Sequence, residues 1–150
     1  MSTLVSNKKI ARDYEILETY QAGIELKGFE VKSVKASQGS LDGAYISIRG
    51  NEAFLVNATI PAFQPANAPQ DYDPERPRKL LLHKREIKEL SEREKEGGLT
   101  IVPLKLYTKT RFVKIELALV RGKKKHDKRE TIKRKDMQRD TERSFKKRFR

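Results

Sequence analysis

The stretch RFVKIELALV, Arg111–Val120, decides the fold class because apolar and polar side chains alternate along it. Successive side chains of a β-strand point to opposite faces, so every second residue shares a face. One predicted face carries only apolar residues: Val113, Ile115, Leu117 and Leu119. The other carries Phe112, Lys114, Glu116 and Ala118. The stretch is therefore predicted to be a strand with one face in a core and the other towards solvent.

The run before it, LTIVPLKLYTK (99–109), is predicted to be the partner strand. The segment Thr108-Lys109-Thr110 joins the two runs as a hairpin. Proline cannot donate a ladder hydrogen bond, so Pro103 predicts an edge position or a bulge. The predicted shared face of this strand carries Val102, Leu104 and Leu106.

Earlier segments supply the rest of the predicted sheet and two helices. AYISIRG and EAFLVNATI flank Gly50-Asn51, a tight-turn pair between β-rich runs. DYEILETYQAGIEL (13–26) is a long strand in which Gly23 permits a bend. GFEVKSVKASQG (28–39) and HKREIKELSEREKEGG (83–98) have helical apolar spacing and end near glycines. Between them, residues 61–77 hold five of the six prolines and are predicted to be a long loop.

About five strands with two short helices predict a mainly β fold, an OB-like small antiparallel barrel over residues 1–120. The remaining residues, 121–150, are predicted to form a basic C-terminal tail. They contain 15 Lys and Arg against 5 Asp and Glu, a net charge of +10 within a total of +13. Such asymmetry indicates a polyanionic partner, with nucleic acid favoured. A membrane surface is disfavoured because the apolar residues of the tail are few and irregularly spaced.

The sequence carries little that would support catalysis. It has two histidines, no cysteine, no Walker loop and no GxGxxG motif, so we predict no enzyme activity, no metal site and no cofactor. Asp71 and Asp73 in the proline loop are interpreted as a turn pair. An enzyme dependent on His83 is kept as the alternative from another class. No apolar run is long enough for a signal peptide or a membrane span, which predicts a cytoplasmic protein.

Three features of the predicted barrel are compatible with RNA binding, and each has a plainer interpretation. The segment Asn7–Lys9 is either a phosphate clamp or a frayed terminus. Among Leu80, Leu81 and Leu82, one leucine could face outward and stack on a base, with Arg78 and Lys79 holding phosphates. Alternatively, the three leucines anchor a helix to the core. Lys114 is either an ordinary surface lysine or part of a shallow basic groove.

The tail is predicted to fold only when bound. With so few apolar residues it cannot offset the entropy of ordering, so it should be largely disordered when free. It nevertheless contains acid–base pairs four residues apart, such as Glu130 and Arg134, which would support a helix once phosphates neutralise its positive charge. The alternative is an unspecific tether that raises affinity through counterion release.

Six blocks of sequence, in order, carry a resemblance to a known family: NKK…DY, LKGFEVKSVKA, EAFLVNA, DPERPRKLLLHKREI, GLTIVPLKLY and GKKKHDKRETIKRKD. They are similar to the SsrA-binding protein family, also called small protein B. The resemblance implies an OB-like barrel that binds the tRNA-like domain of transfer-messenger RNA and supports its aminoacylation. Elongation factor Tu then carries that RNA to stalled ribosomes. The tail becomes helical in the empty decoding centre and mRNA channel.

The resemblance also implies site residues in a protein that catalyses no bond change and that we expect to be a monomer. With Lys9 and Lys79 added from the basic segments above, the predicted RNA-binding set is Asn7, Lys8, Lys9, Gln21, Lys79, Leu81 and Lys114. The predicted decoding-centre set is Lys123, Lys124, His126, Asp127, Lys128 and Arg129. Gln21 stands where many relatives carry Glu; its amide both donates and accepts hydrogen bonds. A second departure is Ile10-Ala11-Arg12, where relatives more often have small, basic and aromatic residues.

Overall fold

The computed structural model describes residues 2–122, apart from Pro65 and Asn67. This part of the chain forms one antiparallel sheet of seven strands in the order β1-β6-β7-β2-β5-β4-β3, with three helices. The strands are β1 Ser2–Ser6, β2 Tyr14–Ile24, β3 Tyr45–Arg49, β4 Glu52–Val56, β5 Arg78–Leu81, β6 Leu99–Lys109 and β7 Phe112–Gly122. The helices are α1 Ile10–Asp13, α2 Gly28–Lys35 and α3 Lys84–Lys95.

The predicted mainly β class is confirmed, although the prediction of about five strands was too low. The strands that it missed, β1 and β5, have five and four residues. β3 and β4 are equally short but were recognised by the Gly50-Asn51 turn pair between them, and no such pair flanks β1 or β5. The predicted hairpin at Gly50-Asn51 and the helices α2 and α3 are present, and Gly50 has the positive φ of 63° that a tight turn favours.

The sheet curls around one main core. β3 lies against β6, although the two are far apart in strand order. All seven strands contribute buried apolar side chains to this core, and Val34 of α2 and Leu90 of α3 join them. The core face predicted for β7 is confirmed, because its members are all in this cluster: Val113, Ile115, Leu117 and Leu119. This architecture agrees with the predicted small barrel.

Pro103 lies at a bulge of β6. The register between β6 and β7 shifts between Pro103 and Lys105, as the bulge alternative requires. β1 pairs with β6 only from Lys105 to Thr108, so Pro103 itself has β7 as its one strand partner, which agrees with the edge alternative as well. The extra residue inverts the alternation. Leu106 therefore faces the main core, while Val102 and Leu104 join a second cluster under α1. The prediction that these three residues share one face was wrong.

The strand pairing of β2 shows no register shift at Gly23, and the bend expected there stays a prediction. The irregularity of β2 lies between Ile16 and Glu18, and Gly23 remains in register with Leu81 on one side and Lys114 on the other. Gly23 also allows a close approach. A Cβ built on it would lie 3.2 Å from Cδ1 and 3.3 Å from Cβ of Leu81.

A buried ionic network joins α2, β5 and the proline loop. Arg78, fully buried, donates to Glu30 Oε2 from Nε at 2.9 Å and from Nη2 at 2.8 Å, and Arg76 also donates to Glu30. The hydroxyl of Tyr72 donates to Glu30 at 2.9 Å, and Arg78 donates to the carbonyl of Pro74 at 2.9 Å. Burial alone would raise the pKa of Glu30, but these donors and the backbone N–H of Lys27 together lower it to about 2. The network fixes the start of β5, and with it the residues that follow Arg78.

Candidate RNA-binding surface

Pairing of β2 with β5 and β7 brings four predicted RNA-binding residues onto one outer face. Ala22, Leu80 and Ile115 point into the core. Because alternate residues face opposite ways, their neighbours point outward: Gln21, Lys79, Leu81 and Lys114. Gly23 pairs with both Leu81 and Lys114, so these two lie on either side of it. The structure thus gathers residues from three distant segments of the chain.

Leu81 lines an open apolar groove on this face. Leu80 is 2% exposed whereas Leu81 is 54% exposed, so the expectation that one of the three leucines faces outward is confirmed. Leu80 and Leu81 are the last two residues of β5, and Leu81 is exposed. The alternative in which all three leucines anchor a helix to the core is therefore wrong. The groove has a volume of about 370 Å³. Its lining consists of Gly23, Ile24, Leu81, Lys109, Thr110, Phe112, Val113 and Lys114.

Phe112 is a residue of this groove that was not among the predicted site residues. It is 67% exposed and opens β7 two residues before Lys114. The signal was present in the sequence, because the alternation already placed Phe112 on the polar face of the strand. An aromatic residue on such a face indicates a binding role when it forms part of a larger apolar surface.

The lysines around the groove supply positive charge. Within the described part of the chain, Lys109 and Lys114 have no acidic group within 4.0 Å, whereas Lys79 is 3.5 Å from Glu52 in an exposed pair. Exposed pairs are weak, so a phosphate could replace Glu52 as the partner of Lys79 at little cost. Apolar side chains flanked by cations suit an unpaired nucleotide, whose base stacks while its phosphates are held.

The segment Asn7–Lys9 is ordered by its neighbours. β1 pairs with β6, so the alternative of a frayed terminus is wrong. Asn7 is buried; its side-chain amide donates to the carbonyls of Leu41 and Pro103 at 3.2 and 3.3 Å. Asn7 is therefore used to hold the turn between β1 and α1, while Lys8 and Lys9 next to it are exposed. Lys9 lies 3.8 Å from Asp42.

The groove and the start of the predicted tail lie at opposite ends of β7. Phe112 and Lys114 open the strand and Gly122 closes it. The eight residues from Lys114 to Gly122 correspond to roughly 26 Å of extended backbone. The C-terminal part of helix α3 lies towards the Gly122 end, because Arg93 is 3.6 Å from Glu18, which pairs with Leu119. The helix begins at Lys84, three residues after Leu81 of the groove. The predicted decoding-centre residues Lys123, Lys124, His126, Asp127, Lys128 and Arg129 lie outside the described residues.

Two features typical of other classes of protein are absent from the described residues. No group of three or more His, Asp and Glu side chains there could hold a metal ion. No helix in the same part of the chain is long and apolar enough to cross a membrane.

Comparison with known proteins assigns the family. The family model described as SmpB protein matches residues 4–147. The chain belongs to the SmpB family. It is 54% identical to an SsrA-binding protein of Pseudothermotoga lettingae over 140 residues, which cover 93% of each chain. It is 49% identical to the SsrA-binding protein of Thermosipho africanus over the same length and coverage.

A solved structure of an SmpB chain has the same fold. It comes from the work "tmRNA-SmpB: a journey to the center of the bacterial ribosome" and shares 41% identity with this chain. The two align with a TM-score of 0.67 over 85% of this chain and 92% of that one. The resemblance that the sequence blocks carried is therefore confirmed.

Proposed function

We propose that this protein binds the tRNA-like domain of transfer-messenger RNA and acts with it in ribosome rescue by trans-translation. The observation that carries the proposal is the Leu81–Phe112 groove, an exposed apolar groove with cations beside it in a member of the SmpB family. Residues 1–120 form the RNA-binding body. Residues 121–150 enter the empty decoding centre and mRNA channel, with the segment from Lys123 to Arg129 at the decoding centre.

Each side chain of the surface has a distinct part in binding. Leu81 and Phe112 contact an unpaired base of the tRNA-like domain, and Lys109 and Lys114 hold the adjoining phosphates. Gln21 offers both a donor and an acceptor to the RNA. Lys79 adds a phosphate contact. Lys8 and Lys9 extend the surface from the turn that Asn7 holds in place.

The remaining steps follow from this assignment. A protein that grips the tRNA-like domain without covering its acceptor end would support aminoacylation and travel in the complex with elongation factor Tu. It changes no covalent bond itself, acts in the cytoplasm where ribosomes work, and functions as a monomer. If the protein instead bound structured RNA in general, the groove would not distinguish the tRNA-like domain from other RNAs.

The proposal is tested by competition binding at physiological salt. The protein is expected to bind the isolated tRNA-like domain more tightly than bulk tRNA, and Leu81→Ala to weaken that binding by about 5- to 150-fold, since base stacking contributes about 1–3 kcal/mol. The matched control is Ile16→Ala, which truncates another exposed apolar residue of the sheet at the far end of β2. Equal affinity for both RNAs, or equal losses in both variants, would contradict the proposal.

The close approach of Gly23 to Leu81 makes a separate prediction. Gly23→Ala is expected to displace the Leu81 side chain and weaken RNA binding by about 2- to 12-fold, because an off-rotamer side chain costs about 0.5–1.5 kcal/mol. In a Leu81→Ala background the same change should have a smaller effect, since Cγ and Cδ1 of Leu81 are gone and only its Cβ, 3.3 Å from the added atom, remains. Gly28→Ala is the control, because nothing lies within 4 Å of its added Cβ. Additive losses in the double variant would contradict the prediction.

A further inference from the structure

We propose that Glu116, on the outer face of β7, recognises a guanine base of the bound RNA together with Gln21. This inference deepens the proposed function and rests on it, because the base belongs to the unpaired nucleotide held at the Leu81–Phe112 groove. Ile115 and Leu117 point into the core, so Glu116 between them points outward.

Glu116 has two polar neighbours across the strands. It pairs with Gln21 of β2 on one side and with Lys105 of β6 on the other. Ala22 and Leu106, which follow these two neighbours in their strands, lie in the core, so the three polar side chains share the outer face. Side chains opposite one another in neighbouring strands have Cβ atoms about 5 Å apart, so Gln21 and Glu116 can contact one base together.

The fold makes no use of the Glu116 carboxylate. In the part of the chain that the structure describes, this half-buried carboxylate accepts no hydrogen bond, and no Lys or Arg nitrogen lies within 4.0 Å of it. Lys105 is directed elsewhere, because its ammonium lies 5.6 Å from the centre of the Tyr107 ring. The side-chain amide of Gln21 also has no partner among the described residues. Polar groups shielded from water are usually hydrogen-bonded, so an unpaired, half-buried carboxylate indicates a ligand that donates to it.

The polar pair adjoins the Leu81–Phe112 groove. Gly23 and Lys114, which line the groove, form the next pair on the same face of β2 and β7. Gly23 has no side chain to stand between a base on Leu81 and the Gln21–Glu116 pair. Two strand spacings and one two-residue step separate the Cα atoms of Leu81 and Glu116 by roughly 12 Å, which one nucleotide and the Glu116 side chain can bridge.

The chemistry of the pair selects guanine. An ionised carboxylate only accepts hydrogen bonds, so Glu116 cannot bind a phosphate, which has no donor and the same sign of charge. The Watson–Crick edge of guanine presents the acceptor O6 followed by two adjacent donors, N1–H and N2–H. The two carboxylate oxygens of Glu116 accept from both donors, and the amide of Gln21 donates to O6. Adenine, cytosine and uracil each place an acceptor beside their donor on this edge, and that acceptor would face the carboxylate.

The amide of Gln21 is the matching half of the pair. A carboxylate at position 21 would face Glu116 directly across the two strands, where like charges are destabilising. It would also lack the donor for O6. Gln21→Glu is therefore expected to weaken RNA binding in this chain, although it keeps the size of the side chain.

The test measures binding of the full-length chain to the isolated tRNA-like domain and to copies in which the loop guanines are changed one at a time to adenine. One of these changes is expected to weaken wild-type binding by about 5- to 150-fold, the discrimination typical of a bidentate contact to a base. Glu116→Gln should weaken binding to the unchanged RNA and should remove the preference for guanine at that position. The two changes are expected to be non-additive, because they remove the same contact.

The sign of the effect separates this role from that of an ordinary surface acid. If Glu116 only repelled phosphates, Glu116→Gln would tighten binding. The control is Glu25→Gln, which removes the same charge from an exposed residue whose backbone N–H donates to the carbonyl of Lys79 at 3.0 Å. This variant is expected to bind RNA as tightly as the wild type or more tightly.

Tighter or unchanged binding of Glu116→Gln would overturn the inference, as would additive losses or an equal loss in Glu25→Gln. Failure of the proposed function shows separately, as a wild-type protein without preference for the tRNA-like domain over bulk tRNA, and the inference then fails with it. A wild-type protein that keeps this preference while Glu116→Gln binds normally would overturn the inference alone.

Discussion

Truncation after Gly122 is expected to abolish tagging on stalled ribosomes while leaving binding to the tRNA-like domain largely intact. The reason is geometric. The Leu81–Phe112 groove lies at the start of β7, and the truncation point lies at its end, roughly 26 Å from Lys114 along the strand. The body retains every residue of the groove, whereas the charge that would occupy the mRNA channel is lost.

Two measurements separate these effects. Affinity for the tRNA-like domain is measured at physiological salt with competitor tRNA, so that the unspecific contribution of the tail charge is suppressed. Tagging is measured in a reconstituted translation reaction with a truncated message. Leu81→Ala in the full-length chain is the reciprocal control, because it should lose RNA binding first and tagging as a consequence. A truncated protein that no longer binds the tRNA-like domain would contradict the division into body and tail.

Glu30→Gln is expected to destabilise the body by about 3–5 kcal/mol, the cost typical of removing one partner from a buried ion pair. The variant leaves Arg78 charged and fully buried, facing an amide in place of a carboxylate. Urea unfolding measures the free-energy difference directly. The control is Glu15→Gln, which removes an exposed pair with Arg121 at 3.9 Å and should change stability by less than about 1 kcal/mol. Equal stability of the two variants would contradict the central role of this network.

The carboxylate of Glu30 also predicts how the free energy of unfolding changes at low pH. The pKa of Glu30 falls from an ordinary 4.5 to about 2 on folding. A lowered folded-state pKa gives stability that is complete above about pH 4.5 and is lost as the pH falls towards 2, about 3 kcal/mol in all. The stability difference between wild type and Glu30→Gln should therefore shrink over that interval. A difference that stays constant between pH 5 and pH 2 would contradict the assignment.

Individual residues of the candidate site could be predicted from the sequence, but their arrangement in space could not. Three consecutive leucines cannot all face one side of a strand, and this local fact indicated that one of them is exposed. Which leucine that is depends on the pairing of β5 with β2, which places Leu81 beside Gly23. Asn7 was predicted as an RNA contact, yet its amide is occupied by the carbonyls of Leu41 and Pro103. We therefore expect any contact of this segment with RNA to be made by the exposed side chains of Lys8 and Lys9.

The sequence by itself determined the long strands, the two longer helices and the concentration of charge after residue 120. Alternation, helical spacing and charge are properties of neighbouring residues and need no partner to be recognised. Only the tertiary structure decided that Pro103 marks a bulge of β6, that β1 and β5 are strands, and that Glu30 meets Arg78. Strand register and the partner of a buried charge depend on which distant segments of the chain pack against each other and exclude water. Because this packing depends on the whole core, it cannot be read from any local sequence pattern.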